Sequence, residues 1–325
     1  MQFSAHIEER ALQKPFRISG AEWTHSRSLV VQLFDNDCLG RGEAQGVFYL
    51  GETADLLIEQ VNAVADEICK GISRPELQQL LPSGGARNAV DCALWDLECK
   101  MSGQSIWQLT GITPKPVTTV FTLGLENSAQ TVAENARKAS AYPVLKIKLD
   151  AQDPVGVLSA IRQARPDAKL VVDVNQGWSF EMLQDVLPKC VDLDLSMVEQ
   201  PLKRGHDDML EGFDSPISLC ADESCLDSSE MDEVAKRYDM INIKLDKTGG
   251  LTEALNLAEK ARQRGKKLMV GNMVGSSLSM APSFVIAQLC EFVDIDGPLL
   301  LQHDHLDGMH YHNGVAEVFK SQFWG

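Results

Sequence analysis

Short apolar runs alternate with longer amphipathic stretches along most of the chain, and the two rhythms separate cleanly after about residue 116. Eight β-like runs follow there: 117–123, 144–149, 169–174, 195–199, 217–222, 240–245, 267–273 and 292–296. Between them lie segments of helical length, such as 153–164 and 251–264. Strands alternating with helices predict parallel pairing through right-handed crossovers. Eight such units within roughly 180 residues predict an α/β fold closed as a barrel of the triosephosphate-isomerase type. A doubly wound open sheet is the alternative. The earlier part reads differently: 28–33 as a strand, 38–44 as a turn and short strand, 54–71 and 85–101 as helices. In the last of these, Ala86, Val90, Ala93 and Leu97 recur at helical steps and form one apolar stripe. Three parts are expected: an α+β capping domain over 1–115, a barrel over 116–298, and a segment 299–325 that returns to pack on the cap.

Charge narrows the partners. Thirty Lys+Arg against 46 Asp+Glu give a net charge of −16. No basic face is available to displace counterions from nucleic acid or to hold an anionic membrane. The longest stretch without charge, 268–290, is broken by Gly271, Asn272, Gly275, Ser276 and Pro282 and is too polar for lipid. The eight cysteines are scattered with no C-x-x-C pair, as expected of reduced thiols in a cytoplasmic protein.

Candidate chemistry lies at the strand ends, where barrel sites are built. The side-chain period of two places Lys146 and Lys148 on one face of the second run, with Leu145, Ile147 and Leu149 on the other. Later runs end in Asp173 (with Asn175), Glu199, Asp222, Lys244, and Asp294 with Asp296. Asp173, Glu199 and Asp222 offer hard oxygen ligands converging from neighbouring strands, which suits Mg²⁺ or Mn²⁺. Lys148 and Lys244 would face one another across the mouth, and a nearby cation together with Lys146 would favour a neutral amine. Such a pair suits removal of a proton from one side of a carbon and its return to the other, the metal holding the resulting enediolate. Asp294 and Asp296 suit a cationic group on the substrate. Other features are set aside. His303, His305, His310 and His312 match no common zinc spacing. Gly40-x-Gly42 lacks the third glycine of a dinucleotide fingerprint. Thr248-Gly-Gly250 reads as a flexible turn, and Trp95 and Trp178 as packing residues.

Taken in order, seven motifs resemble the muconate-lactonizing branch of the enolase superfamily, and within it the dipeptide epimerases. They are Gly40-Arg-Gly-Glu-Ala44, Ala89-Val-Asp-Cys-Ala-Leu-Trp-Asp-Leu97, Lys146-Ile-Lys148, Asp173-Val-Asn-Gln-Gly-Trp178, Val198-Glu-Gln-Pro201, Ala221-Asp-Glu-Ser224 and Asn242-Ile-Lys-Leu-Asp-Lys-Thr-Gly-Gly250. Sites of that superfamily pair Lys or His bases with Mg²⁺. The resemblance covers nearly the whole chain and implies a (β/α)₇β barrel with an α+β capping domain. It implies Lys148 and Lys244 as the acid/base pair, and Asp173, Glu199 and Asp222 as metal ligands. Lys146 is implied as a substrate-binding residue, with Asp294 and Asp296 gripping a dipeptide's ammonium group. The absence of histidine in Gly271-Asn-Met-Val274 separates the chain from the mandelate-racemase branch. A homo-oligomer acting on a small molecule is expected. Two further readings stay open: an N-succinylamino acid racemase, o-succinylbenzoate synthase or cycloisomerase on the same lysines, and a non-catalytic metal-binding barrel. The site-closing loops correspond to 16–25 and 46–53. Where Ala-Glu epimerases place a basic residue in the first loop, Ala21 stands here, with Arg17 and Arg27 nearby. The resemblance thus implies a second residue other than glutamate, and Phe48-Tyr49 favours a neutral or apolar side chain.

Overall fold

The computed structural model describes residues 1–18 and 21–325. Three antiparallel strands, β1 (Gln2–Ile18), β2 (Ala21–Asp35) and β3 (Cys38–Ala44), open the chain and pair in that order. Asn36 and Asp37, both at positive φ, make the tight turn between β2 and β3. β1 is absent from the sequence expectation. Its alternation is weak and most of its side chains stay at least partly exposed, so its pairing with β2 decides its conformation. β3 lies directly on the helix Gly85–Ser102. A Cβ at Gly42 would fall 2.1 Å from the Ala89 carbonyl oxygen, and one at Gly40 2.3 Å from that of Ala93. The two glycines therefore serve close strand–helix packing.

The predicted run 117–123 is divided. β4 (Val117–Thr118) pairs with the C-terminal hairpin β13 (Tyr311–His312) and β14 (Val315–Ala316), and only β5 (Phe121–Leu123) enters the barrel. Then come β6 (Val144–Lys148), β7 (Lys169–Asp173), β8 (Leu195–Glu199), β9 (Leu219–Ala221), β10 (Met240–Ile243), β11 (Lys267–Val270) and β12 (Phe292–Val293). These eight strands are hydrogen-bonded in chain order and all parallel. The ring closes where Val120 N–H donates to the Val293 carbonyl at 2.8 Å. Outer helices begin at side-chain caps, among them Ser128, Asp153, Ser179 and Ser276. No helix among the described residues is long and apolar enough to cross a membrane.

Strand alternation sorts the barrel into layers. Leu145, Ile147, Leu170 and Val172 point outward into the helix-covered core. Val171, Met197, Cys220, Met240 and Met269 point inward and form a separate apolar plug. Two residues further along each strand, the inward positions are Asp173, Glu199, Asp222, Asn242 and Gly271; Lys146 and Asp294 follow Val144 and Phe292, which pack on the same plug. A charged ring thus rests on a sealed floor.

The cap is clamped to the barrel at the turn after β10. Arg87 donates to the carbonyls of Thr248 at 2.6 Å and Gly249 at 3.2 Å. Asp91 accepts from Thr252 N–H at 2.9 Å and its hydroxyl at 2.6 Å. A Cβ at Gly250 would fall 2.5 Å from the Asp91 side chain, so Thr248-Gly-Gly250 is a docking face. The C-terminal residues join the cap: Trp324 donates to the Arg41 carbonyl at 3.0 Å, and Gly325 N–H to Asp96 at 2.9 Å. If close approach is the role of Gly42, Gly42→Ala lowers the stability to urea unfolding by about 1–3 kcal/mol through overpacking. A matched Gly51→Ala control has open space at its Cβ position but a positive φ, and loses only the cost of that backbone conformation.

Candidate active site

Burial of charge governs the ring. Lys146 sits at its centre, its ammonium 3.0 Å from Asp173, 2.8 Å from Glu199 and 2.8 Å from Asp294. Lys148, one inward position higher, reaches Asp173 at 2.6 Å and the Asn175 side-chain oxygen at 3.0 Å. Lys244 meets Asp222 at 2.6 Å from the far side. Lys247 holds the same residue from below, 2.8 Å from its other carboxylate oxygen and donating to its carbonyl at 2.5 Å. Asn242 donates to Glu199 at 2.7 Å. The structure thus draws together Lys146, Lys148, Lys244, Asp173, Glu199, Asp222 and Asp294.

Protonation follows these pairings. Burial alone would raise Asp173, but Lys146 and Lys148 hold it at about 2. Lys244 and Lys247 overcome burial at Asp222 and keep it ionised. Glu199 is pushed up to about 7 by burial and by Asp173, and Glu223 to about 8 by burial and Asp222. Burial would lower the Lys244 ammonium, yet Asp222 holds it above its ordinary value, so Lys244 carries its proton in this arrangement.

The donor set fits a divalent cation. Glu199 Oε2 and Asp222 Oδ1 are buried and accept no hydrogen bond of good angle, although an ammonium lies within 2.8 Å of each. Asp173, Glu199, Asp222, Glu223, Asp294 and Asp296 face Lys146, Lys148, Lys244 and Lys247, which leaves two formal negative charges in a buried layer. Among the described residues, no three His, Cys, Asp or Glu side chains are already gathered into a cage.

Above the ring lies a cavity of about 330 Å³. Its floor carries Lys148, Lys244, Asn175, Asp222 and Glu223, and its cap side carries Phe16, Trp23, Phe48 and Tyr49. The predicted first loop is instead a ribbon, since Phe16 pairs with Trp23 and Ile18 with Ala21. Its Ser19 and Gly20 lie outside the described residues. The segment after β3 is pinned by carboxylates. Asp246, two residues beyond Lys244, accepts from Gln45 N–H at 2.9 Å and Gly46 N–H at 2.7 Å. Glu52 accepts from Val47 and Gly85 N–H at 2.7 and 3.0 Å, and Glu43 from Ser276 N–H at 3.1 Å. Just after β11, a Cβ at Gly271 would fall 2.6 Å from the Asn242 amide and 2.9 Å from Lys244 Cε, so the bare backbone makes room for both side chains.

Asp294 and Asp296 stand outside the cavity wall. Asp294 is taken by Lys146 and by Asn272 at 3.1 Å. Asp296 accepts from Thr122 N–H at 2.8 Å and is pushed to about 7, by burial first and then by Asp294. The histidine-rich segment is a packing corner: Asp304 accepts from Ser277, and His305 meets Phe323 edge-on at 5.6 Å. Sequence reasoning missed Asn242, Asp246, Gly271 and Trp23. Asn242 was within reach, lying one period before Lys244; the other three act through partners distant in sequence.

Two family models cover the chain. "Mandelate racemase / muconate lactonizing enzyme, N-terminal domain" matches residues 4–111, and "Enolase C-terminal domain-like" matches 129–320. The L-Ala-D/L-Glu epimerase of Escherichia coli is 40% identical over 94% of this chain and 96% of its own length. An N-acetyl-D-glutamate racemase of Pseudoalteromonas is 36% identical over 91% of this chain and 95% of its own. Among solved structures, an enolase family member from Agrobacterium tumefaciens with homology to dipeptide epimerases, with bound sodium and L-Ala-L-Glu, superposes at a TM-score of 0.96. It is 39% identical and covers 99% of both chains.

The anchor at Asp246 has a pH signature. Burial raises its carboxyl from 3.8 to about 7, so folding takes up a proton between those values. Its contribution to stability is therefore greatest below pH 4, declines as pH rises to about 7, and is constant above. Urea unfolding of Asp246→Asn between pH 5 and 8 should show a smaller fall in stability than the parent. An equal fall in both proteins would exclude this assignment.

Proposed function

The chain belongs to the mandelate racemase/muconate lactonizing enzyme family of the enolase superfamily, and on that premise we propose that it is a metal-dependent isomerase inverting the α-carbon of the C-terminal residue of a dipeptide. One observation carries the reading. Lys148 and Lys244, from β6 and the end of β10, lie four strands apart in the ring of eight and line the same cavity above the carboxylates.

In this reading the dipeptide's α-carbon lies between the two ammonium-bearing chains. The lysine that is neutral takes the α-hydrogen from its face, and the protonated lysine opposite delivers a proton to the other face. Asp222 favours the charged form of Lys244 and so suits it to deliver a proton. Asp173 and Asn175 orient Lys148 toward the cavity. Asp173, Glu199 and Asp222 would hold Mg²⁺ or Mn²⁺, which supplies positive charge against the substrate carboxylate as the α-proton leaves. Lys146, expected from the sequence to bind substrate, lies below the cavity lining and acts in this scheme as a fixed cation among Asp173, Glu199 and Asp294. Asp294 and Asp296 would reach the dipeptide's ammonium group only from behind the cavity wall, Asp294 giving up Lys146 to do so. Phe48 and Tyr49 limit water above the reacting carbon. A second reading, racemisation of an N-acylamino acid on the same lysines, is favoured by the position of Asp294 and Asp296 outside the cavity wall and by the Pseudoalteromonas relative.

Incubation in D₂O with Mg²⁺ and a dipeptide should give epimer carrying deuterium at the α-carbon. Lys148→Ala and Lys244→Ala should each slow inversion by roughly 10²–10⁴-fold. Each should still exchange the α-hydrogen of the one diastereomer that faces the lysine left in place. Exchange confined to N-acylamino acids would replace the dipeptide reading with the second one. The metal has its own readout without turnover. Thermal unfolding should move upward as Mg²⁺ is added, by about 2.7 kcal/mol of stability at one hundred times the dissociation constant. Asp222→Asn should abolish that dependence.

A further inference from the structure

The cap side of the cavity is a chain of aromatic rings. Trp23 lies 6.4 Å from Phe16 and 5.1 Å from Phe48, the latter edge-on at 76°, and Phe48 meets Tyr49 at 5.3 Å. Phe48 nevertheless remains 41% exposed, and Met273 and Val274 extend the apolar wall from the barrel side. Wet ring surface on the wall of a small pocket is the feature an apolar ligand group displaces water from.

The charges at this rim speak against an acidic group. Arg27 is held bidentately by Asp55 at 2.8 and 3.3 Å and lies 3.3 Å from Glu9. Arg17 is paired with Glu22. Among the described residues on the cap side of the cavity lining, Arg27 is the one Lys or Arg and is already held by Asp55 and Glu9, and Glu52 stands on the same wall, so a substrate carboxylate would compete with acids for its cation. His25, on the same wall, has its ring nitrogen 3.0 Å from the Thr24 hydroxyl. The Glu52 oxygen that accepts from the Val47 and Gly85 N–H groups is committed to holding the cap segment, which leaves this acid poorly placed for a cationic side chain.

Resting on the epimerase reading above, we propose that the enzyme selects dipeptides whose C-terminal side chain is apolar, and that Trp23 is the residue setting that preference. The inference departs from the glutamate-directed relatives. It follows from the ring chain and the occupied arginines of this sequence. The test is a panel of L-Ala-L-Xaa dipeptides, with Xaa as Ala, Leu, Phe, Glu or Lys, assayed with the Mg²⁺-loaded enzyme by deuterium uptake and inversion. L-Ala-L-Leu or L-Ala-L-Phe should exceed L-Ala-L-Glu and L-Ala-L-Lys by at least about 10-fold in kcat/KM, the scale on which one apolar contact discriminates. Trp23→Ala, or Trp23→Leu should the first variant not fold, should lower the ratio of L-Ala-L-Phe to L-Ala-L-Ala by about 10-fold. A glutamate or lysine dipeptide as the best substrate overturns the inference while leaving the epimerase reading intact, and so does an unchanged ratio in the folded variant. No exchange from any dipeptide overturns both.

Discussion

Ten ionisable side chains share a buried layer of this barrel, and the rest of the architecture answers to that constraint. A charge removed from water is tolerable only beside an opposite charge or a full set of hydrogen bonds. Lys146 meets this condition by standing among Asp173, Glu199 and Asp294, and Asp222 by having Lys244 and Lys247 on its two oxygens. Such an arrangement fixes register. A one-residue slip of β6 would send Ile147 into the ring and leave Lys146 among the apolar residues outside. The methionines and Cys220 beneath are the complementary half, since a dry floor keeps the ring's electrostatics strong.

This ring was the most legible part of the sequence because period-two alternation transmits side-chain direction without tertiary information. Lys146, Lys148, Asp173, Glu199, Asp222 and Lys244 could be placed on one inward surface from spacing alone, and the eight barrel runs were each found within a few residues. The failures have a common cause. β1 is made by its partner strand, β4 by a hairpin near the other end of the chain, and the role of Asp246 by backbone groups 200 residues earlier. Gly40-x-Gly42, read as part of a turn and short strand, and Thr248-Gly-Gly250, read as a flexible turn, are in addition places where a backbone or carboxylate of another element comes close. Local pattern reports period and polarity. It does not report which distant group arrives.

Cap and barrel meet at the segment that carries Lys244. Within six residues, Lys244 reaches the ring, Asp246 holds the backbone at Gln45 and Gly46, Lys247 supports Asp222, and the carbonyls of Thr248 and Gly249 receive Arg87. Lys244, the lysine proposed to transfer a proton, is therefore wired into the same turn that secures the roof of the cavity. The aromatic wall and the lysine floor are two faces of one rigid junction, which suits a reaction that needs the α-carbon held still while its substituents invert.

Gly271 gives this ring a limit as well as a shape. Its missing side chain is the space through which Lys244 extends. An acid or base introduced at this position would not simply add to the ring; its Cβ would meet the Asn242 amide and the methylenes of Lys244. The chemistry this layer can carry is therefore limited by an exclusion between neighbouring strands. A side chain at position 271, just after β11, and the extended Lys244, just after β10, exclude one another, and the arrangement is held in place by the absence beside it.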